Sequence, residues 1–275
     1  MDLAIGIDVG FSASKRSTGV VILDRQTKGV ASGSKPIVDS ATLATAFVCS
    51  EIARLKPSTV RACVDGSFAP AMPGTKVRLV ERFFMSGPFS SRSGLRLSPA
   101  PTPPSSLFLA TTLKILAALR KMGLNSMTVS ATSVIGDVVE IFPTLFMAAL
   151  LPPVVYVGTR SHHTDELWLR LIGQGPAPTG AIHPSLTRYA ALVLTVESAA
   201  RRDRHDLRTA AVSAIAADWF AGPTVPGFGT TMFLGEPTEL GFVLPSRSQC
   251  DPTFLAMLSS HWTARASSLP GLVWV

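Results

Sequence analysis

A mixed α/β fold is what this sequence predicts, and three observations near its start predict it: a set of short apolar runs, a helical pattern after them, and a further apolar run beyond a proline stop. Residues 3–9 alternate and are rich in branched side chains, 17–23 (STGVVIL) form a second run, and 29–32 a weaker third. Short runs with tight connections imply an antiparallel meander. Residues 41–55 have helical periodicity, which Pro57 ends. Residues 59–64 then read as a buried strand closing at Asp65, and the helical crossover sets that strand parallel to a neighbour.

Further along, residues 66–105 are rich in Pro, Gly and Ser and lack periodicity, and a loop of that length in a compact domain is usually functional or disordered. It carries Lys76, Arg78, Arg82, Arg92 and Arg96 against the single acid Glu81. Residues 106–122 resume as a helix, and 138–142 form a short strand containing Glu140. The pattern over 145–171 is mostly helical around a Pro-broken apolar segment, 174–184 is loop, and 185–200 and 206–220 read as two long helices. Residues 230–244 give two short strands around Gly235-Glu236-Pro237. No repeat or linker divides the chain, so one domain over 1–275, with 66–105 inserted, is expected.

With 275 residues and 47% hydrophobic content, the chain can bury a sizeable core. Its mean hydropathy is +0.34, yet no stretch reaches the roughly 20 uninterrupted apolar residues that a membrane span needs. Residues 106–122 contain Lys114, 142–157 are broken by Pro143, Pro152 and Pro153, and 189–200 are too short. No membrane partner is therefore expected. The first residues reach Asp8 without a basic start and apolar core, which argues for the cytoplasm. Cys49, Cys63 and Cys250 fit neither a disulfide framework nor a zinc site. The net charge of +7 and pI near 9.8 suit either a polyanionic partner or plain solubility, so position has to decide.

Four carboxylates are candidates for chemistry. Asp8 ends the first apolar strand, where a rigid sheet can present an oxygen ligand to a hard cation. Asp65 is delivered by its strand straight into the basic loop. Glu140 is flanked by apolar residues, so it is expected to be buried and to need a partner, either a metal or an arginine. Asp206 stands in the first turn of an Ala-rich helix, with Asp203 a competitor at the same end. Small residues along that helix would let it approach the sheet and carry Asp206 to the other three. Each also has a bland reading: a turn former at Asp8 and Asp65, an ion pair at Glu140, a helix-dipole residue at Asp206.

Taken together, such a set could hold two cations about 3.5 to 4 Å apart for phosphodiester hydrolysis, with Mg²⁺ or Mn²⁺ as the cofactor. Lys76, Arg78, Arg82, Arg204 and Arg208 are the candidates for holding the phosphate backbone of a nucleic acid, DNA or RNA. His162-His163 with Asp165 reads as a surface helix start, since adjacent imidazoles point apart. Ser67 lacks the setting of a hydrolase nucleophile.

The order of motifs is Gly6-Ile7-Asp8, Thr18-Gly19-Val20, Val64-Asp65-Gly66-Ser67, Glu140-Ile141-Phe142-Pro143, His205-Asp206, and Glu239-Leu240-Gly241-Phe242-Val243-Leu244-Pro245. In that order they resemble the predicted RNase H-like nuclease family catalogued as domain of unknown function 429, over most of the chain. The resemblance implies an RNase H-like fold: a central five-stranded mixed sheet, its first three strands antiparallel, flanked by helices. It also implies metal binding at Asp8, Asp65, Glu140 and Asp206. The chain departs from the family pattern at Thr209, where members commonly carry an Asp. That departure favours a second reading, a binding module that keeps the fold with a reduced site. A third is ATP binding of the actin or sugar-kinase kind, from Asp8-Val9-Gly10 with Lys15, although 227–231 lack the Asp of a second phosphate loop.

Overall fold

The computed structural model describes residues 1–10, 17–32, 37–38, 41–71, 77–90, 92–126, 128–129, 134–156, 158, 160–176, 178–220, 231–236 and 240–275. Lys15, Lys76, Glu239 and residues 227–230 lie outside that set.

The chain opens with β1 (Asp2–Asp8), β2 (Ser17–Asp24), β3 (Val30–Ser32) and the short β4 (Ile37–Val38), then α1 (Ala41–Leu55) and β5 (Thr59–Asp65). The 66–105 segment is not structureless: it contains α2 (Leu79–Phe84) and a 3-10 turn at Gly87–Phe89. Next come α3 (Leu107–Lys121), a small hairpin of β6 (Thr128–Val129) and β7 (Val134–Ile135), and β8 (Val138–Glu140). Helices α4 (Pro143–Ala149), α5 (Arg160–Leu171), α6 (Ala190–Ser198) and α7 (Arg204–Trp219) follow. The chain closes with β9 (Thr231–Glu236), β10 (Leu240–Pro245), α8 (Pro252–Arg265) and β11 (Val273–Trp274).

The central sheet runs β3-β2-β1-β5-β8, with β4 attached to β2. Strand β2 is antiparallel to both of its neighbours β1 and β3, while β5 and β8 run parallel to β1. The five-stranded mixed sheet flanked by helices is therefore present. Burial on both faces explains why β1 reads as a nearly continuous apolar run. One face, with Ile5, Ile7, Val20, Ile22 and Val64, packs on α1 and α3. The other, with Ala4, Val21, Cys63 and Val139, packs on α7 within a larger core that α4, α5, α6 and the C-terminal β10-β9-β11 sheet complete.

Helix α7 positions one side of the site, and its composition explains how. Every residue from Asp206 to Trp219 is buried, as expected of a helix surrounded by protein. It lies so close to the sheet that a Cβ at Gly6 would collide with the Ala210 carbonyl, and one at Gly19 with the Asp206 carbonyl. Glycine at both positions is what the packing requires, and the close approach expected from the small residues of this helix is found. No helix among the described residues is long and apolar enough to cross a membrane.

Candidate functional site

The parallel pairing of β1 with β5 puts Asp8 directly opposite Asp65 at the C-terminal ends of both strands. Neighbouring strands are about 4.8 Å apart, so the two carboxylates leave the sheet side by side on one pleat. Both are half-buried, and both line a cavity of about 420 Å³ at that edge of the sheet. Glu140, Arg78, His205, Thr209, Phe108 and Phe142 share the lining.

Glu140 is opposite Val64, one register step short of Asp65, so it leaves the sheet on the other pleat. Its carboxylate is buried and held by Arg78, whose Nη1 and Nη2 donate to Oε2 and Oε1 at 2.7 Å each. The Phe68 N–H adds a longer bond of 3.4 Å. Arg78 is itself buried and gives its Nε to Glu81 Oε1 at 2.8 Å. The other Glu81 oxygen accepts from the backbone N–H of Arg78 and of Thr102. Burial pushes the Glu140 carboxyl up from its ordinary pKa, against the pull of Arg78. Burial works to lower the Arg78 pKa, but Glu140 and then Glu81 outweigh it and the net shift is upward. Of the two partners expected for Glu140, the structure supplies the arginine.

Asp206 is buried and does not line the cavity; its neighbour His205 and Thr209, one turn on, do. Asp165 of α5 approaches His205 Nδ1 to 3.3 Å, off the direction of a good hydrogen bond. That pairing is the main cause raising the His205 pKa; burial opposes it, and Asp8 adds to it. Asp165 also accepts from Arg208 Nη1 at 3.0 Å, and Arg208 grips Glu197 through Nε and Nη2. Trp168 Nε1 completes the chain with a 2.8 Å bond to Glu197. Burial favours neutral Asp165 and Glu197, but their cationic and hydrogen-bonded neighbours outweigh it, so both carboxyls sit below the ordinary range.

The 66–105 segment does border the cavity, through Gly66, Arg78 and 99–102. Its charges are placed otherwise than expected. Arg78 is consumed by two glutamates, exposed Arg82 is outside the lining, and Arg96 Nη1 donates to the Gly158 carbonyl. Arg204 bonds the Ala199 carbonyl, and Arg208 serves Glu197 and Asp165. Sequence reasoning missed Glu81, Asp165, His205 and Phe108 as members of the site or its support. The spacing of Arg78 and Glu81 at the start of an apolar helical pattern was a usable signal for the first of these.

No group of three or more His, Cys, Asp or Glu among the described residues is arranged to hold a metal ion. The donor chemistry at the cavity is a pair of aspartates, which suits Mg²⁺, since that ion commonly takes one or two carboxylates and completes its shell with water and substrate phosphate. It does not make a two-cation cage. No family model matches this chain, and no curated protein or solved structure is significantly similar to it. The likeness in motif order therefore rests on those motifs alone.

Proposed function

We propose that this chain is an RNase H-like, metal-dependent hydrolase of phosphodiester bonds in nucleic acid, with Asp8 and Asp65 as the cation-holding carboxylates. The observation that carries the reading is their in-register placement at the ends of two parallel strands, in the lining of one cavity. The five-stranded mixed sheet and the antiparallel run of its first three strands agree with what the motif resemblance implies. A divalent cation at that pair would supply Lewis-acid polarisation of a phosphoryl oxygen and offset developing negative charge. The chain's own residues do the rest. The sheet fixes both aspartates, Arg78 neutralises Glu140, and the apolar walls reduce the water around the reacting phosphate.

Hydrolysis of single- and double-stranded DNA and RNA with Mg²⁺ or Mn²⁺ tests this, measured on the parent and Asp8→Asn. Asn keeps the size and removes the charge, so a loss of at least about 100-fold with unchanged melting is expected. A folded variant that cleaves as the parent does would remove Asp8 from the chemistry. The second reading, a binding module with a reduced site, is favoured by Arg78 on Glu140 and by Thr209. It becomes the better one if the folded parent cleaves none of these substrates with either metal.

A further inference from the structure

The walls of the cavity bear on which form of nucleic acid it takes. Phe108, near the start of α3, is half-buried against the smaller core and lines the cavity, flanked there by Pro99, Pro101 and Leu107. Phe142 lines it from the other layer. The lining arginine, Arg78, is already paired with Glu140 and Glu81, and no other Lys or Arg among the described residues lines it. A groove that tracks a phosphate backbone needs cations along its length, whereas these walls are mainly apolar and their charged groups are chiefly the acids Asp8, Asp65 and Glu140.

Resting on the hydrolase reading, we propose that the cavity admits one unpaired nucleotide of a single strand, its base against Phe108 and its phosphate toward Asp8 and Asp65. A volume of about 420 Å³ is on the scale of a pocket that encloses a small ligand, far below that of a duplex. A nucleotide in a duplex must leave its stack and its pairing to enter such a space, whereas an unpaired one does not. An aromatic ring accepts any base on its face, so the site reads strandedness more than sequence. With few cations engaged, binding depends weakly on salt.

The test is a fluorescence titration of the full chain with Mg²⁺ and a short phosphorothioate-linked strand carrying 2-aminopurine at one end. The expected result is quenching on binding, with the blunt duplex of the same sequence at least about tenfold weaker. Phe108→Ala and the volume-keeping Phe108→Leu should each weaken the single strand by at least about tenfold while melting as cooperatively as the parent. Equal affinity for strand and duplex, or a folded Phe108→Leu that binds like the parent, overturns the proposal. Hydrolysis of bis(4-nitrophenyl) phosphate with Mn²⁺ separates the two levels. Diester turnover without strand binding removes the single-strand inference and leaves the chemistry; strand binding without any hydrolysis supports the inference and removes the hydrolase reading.

Discussion

Replacing Arg78 by Met removes the cation from a site where two carboxylates are buried, and the consequence can be worked from the geometry. Glu140 loses both of its 2.7 Å partners and Glu81 its 2.8 Å side-chain partner, while the methionine keeps most of the packing volume. Breaking a buried pair from one side costs about 3–5 kcal/mol, because a charge is left without compensation. For a chain of this size that corresponds to a fall in melting temperature of about 6–20 °C. The sign of its pH dependence follows from the upward shift at Glu140. Its folded pKa lies above the unfolded value, so the folded state holds the proton more tightly and stability rises as pH falls through the folded pKa. Without Arg78 that shift grows, and the variant should recover part of its loss as pH falls from neutral toward the ordinary carboxylate range. Adding Glu140→Gln should recover much of the rest, with a coupling of at least about 1 kcal/mol in a double-mutant cycle. Urea and thermal melts across that pH range are the assay. If Arg78→Met melts within about 2 °C of the parent and shows no added pH dependence, the buried triad does not hold this segment, and Arg78 returns as a candidate for bound phosphate.

Two further outcomes are expected. Thr209→Asp should bring a third carboxylate into the cavity lined by Asp8 and Asp65 and tighten Mn²⁺ binding by at least about tenfold in calorimetry; unchanged affinity would place that face of α7 out of reach of the pair. The depressed pKa values of Asp165 and Glu197 contribute stability that is complete above about pH 5 and lost as pH falls below about pH 4, so Arg208→Met should be less stable than the parent at neutral pH and lose less on acidification. Parallel acid-unfolding curves for the two proteins would show that the Arg208 pairs carry no such linkage.

Much of the fold was legible because its elements are specified locally. Strands β1, β2 and β5 are short apolar runs bounded by polar residues, and α1 starts and ends where its periodicity does. What escaped was written in weaker signals. Helix α2 is six residues long and sits among prolines, glycines and serines, although Val80, Phe83 and Phe84 already fall on one helical face. Helix α8 went unread despite Asp251 at its start, whose Oδ1 accepts from the Thr253 and Phe254 N–H groups, with Pro252 at the first helical position.

The site was legible where strand ends made it and illegible where a helix did. Asp8 and Asp65 could be read as neighbours because a parallel pairing of their strands sets them level. That Glu140 needed a partner was also readable; which partner was not, because Arg78 is 62 residues away in sequence and its position depends on the fold of the intervening loop. At the start of α7 the difficulty is rotational. Adjacent helical residues point about 100° apart, so His205-Asp206 does not itself say which of the two faces the cavity. The close contact of Gly19 under the Asp206 carbonyl helps fix the helix against the sheet, and with that placement His205 lines the cavity while the Asp206 side chain does not. Residues at i and i+4 share a face, so Thr209 follows His205 there. Asp206, one residue after His205 and three before Thr209, is buried and does not line the cavity. The α7 residues that line the cavity with Asp8 and Asp65 are His205 and Thr209, so a third acid from this helix would stand at one of those two places.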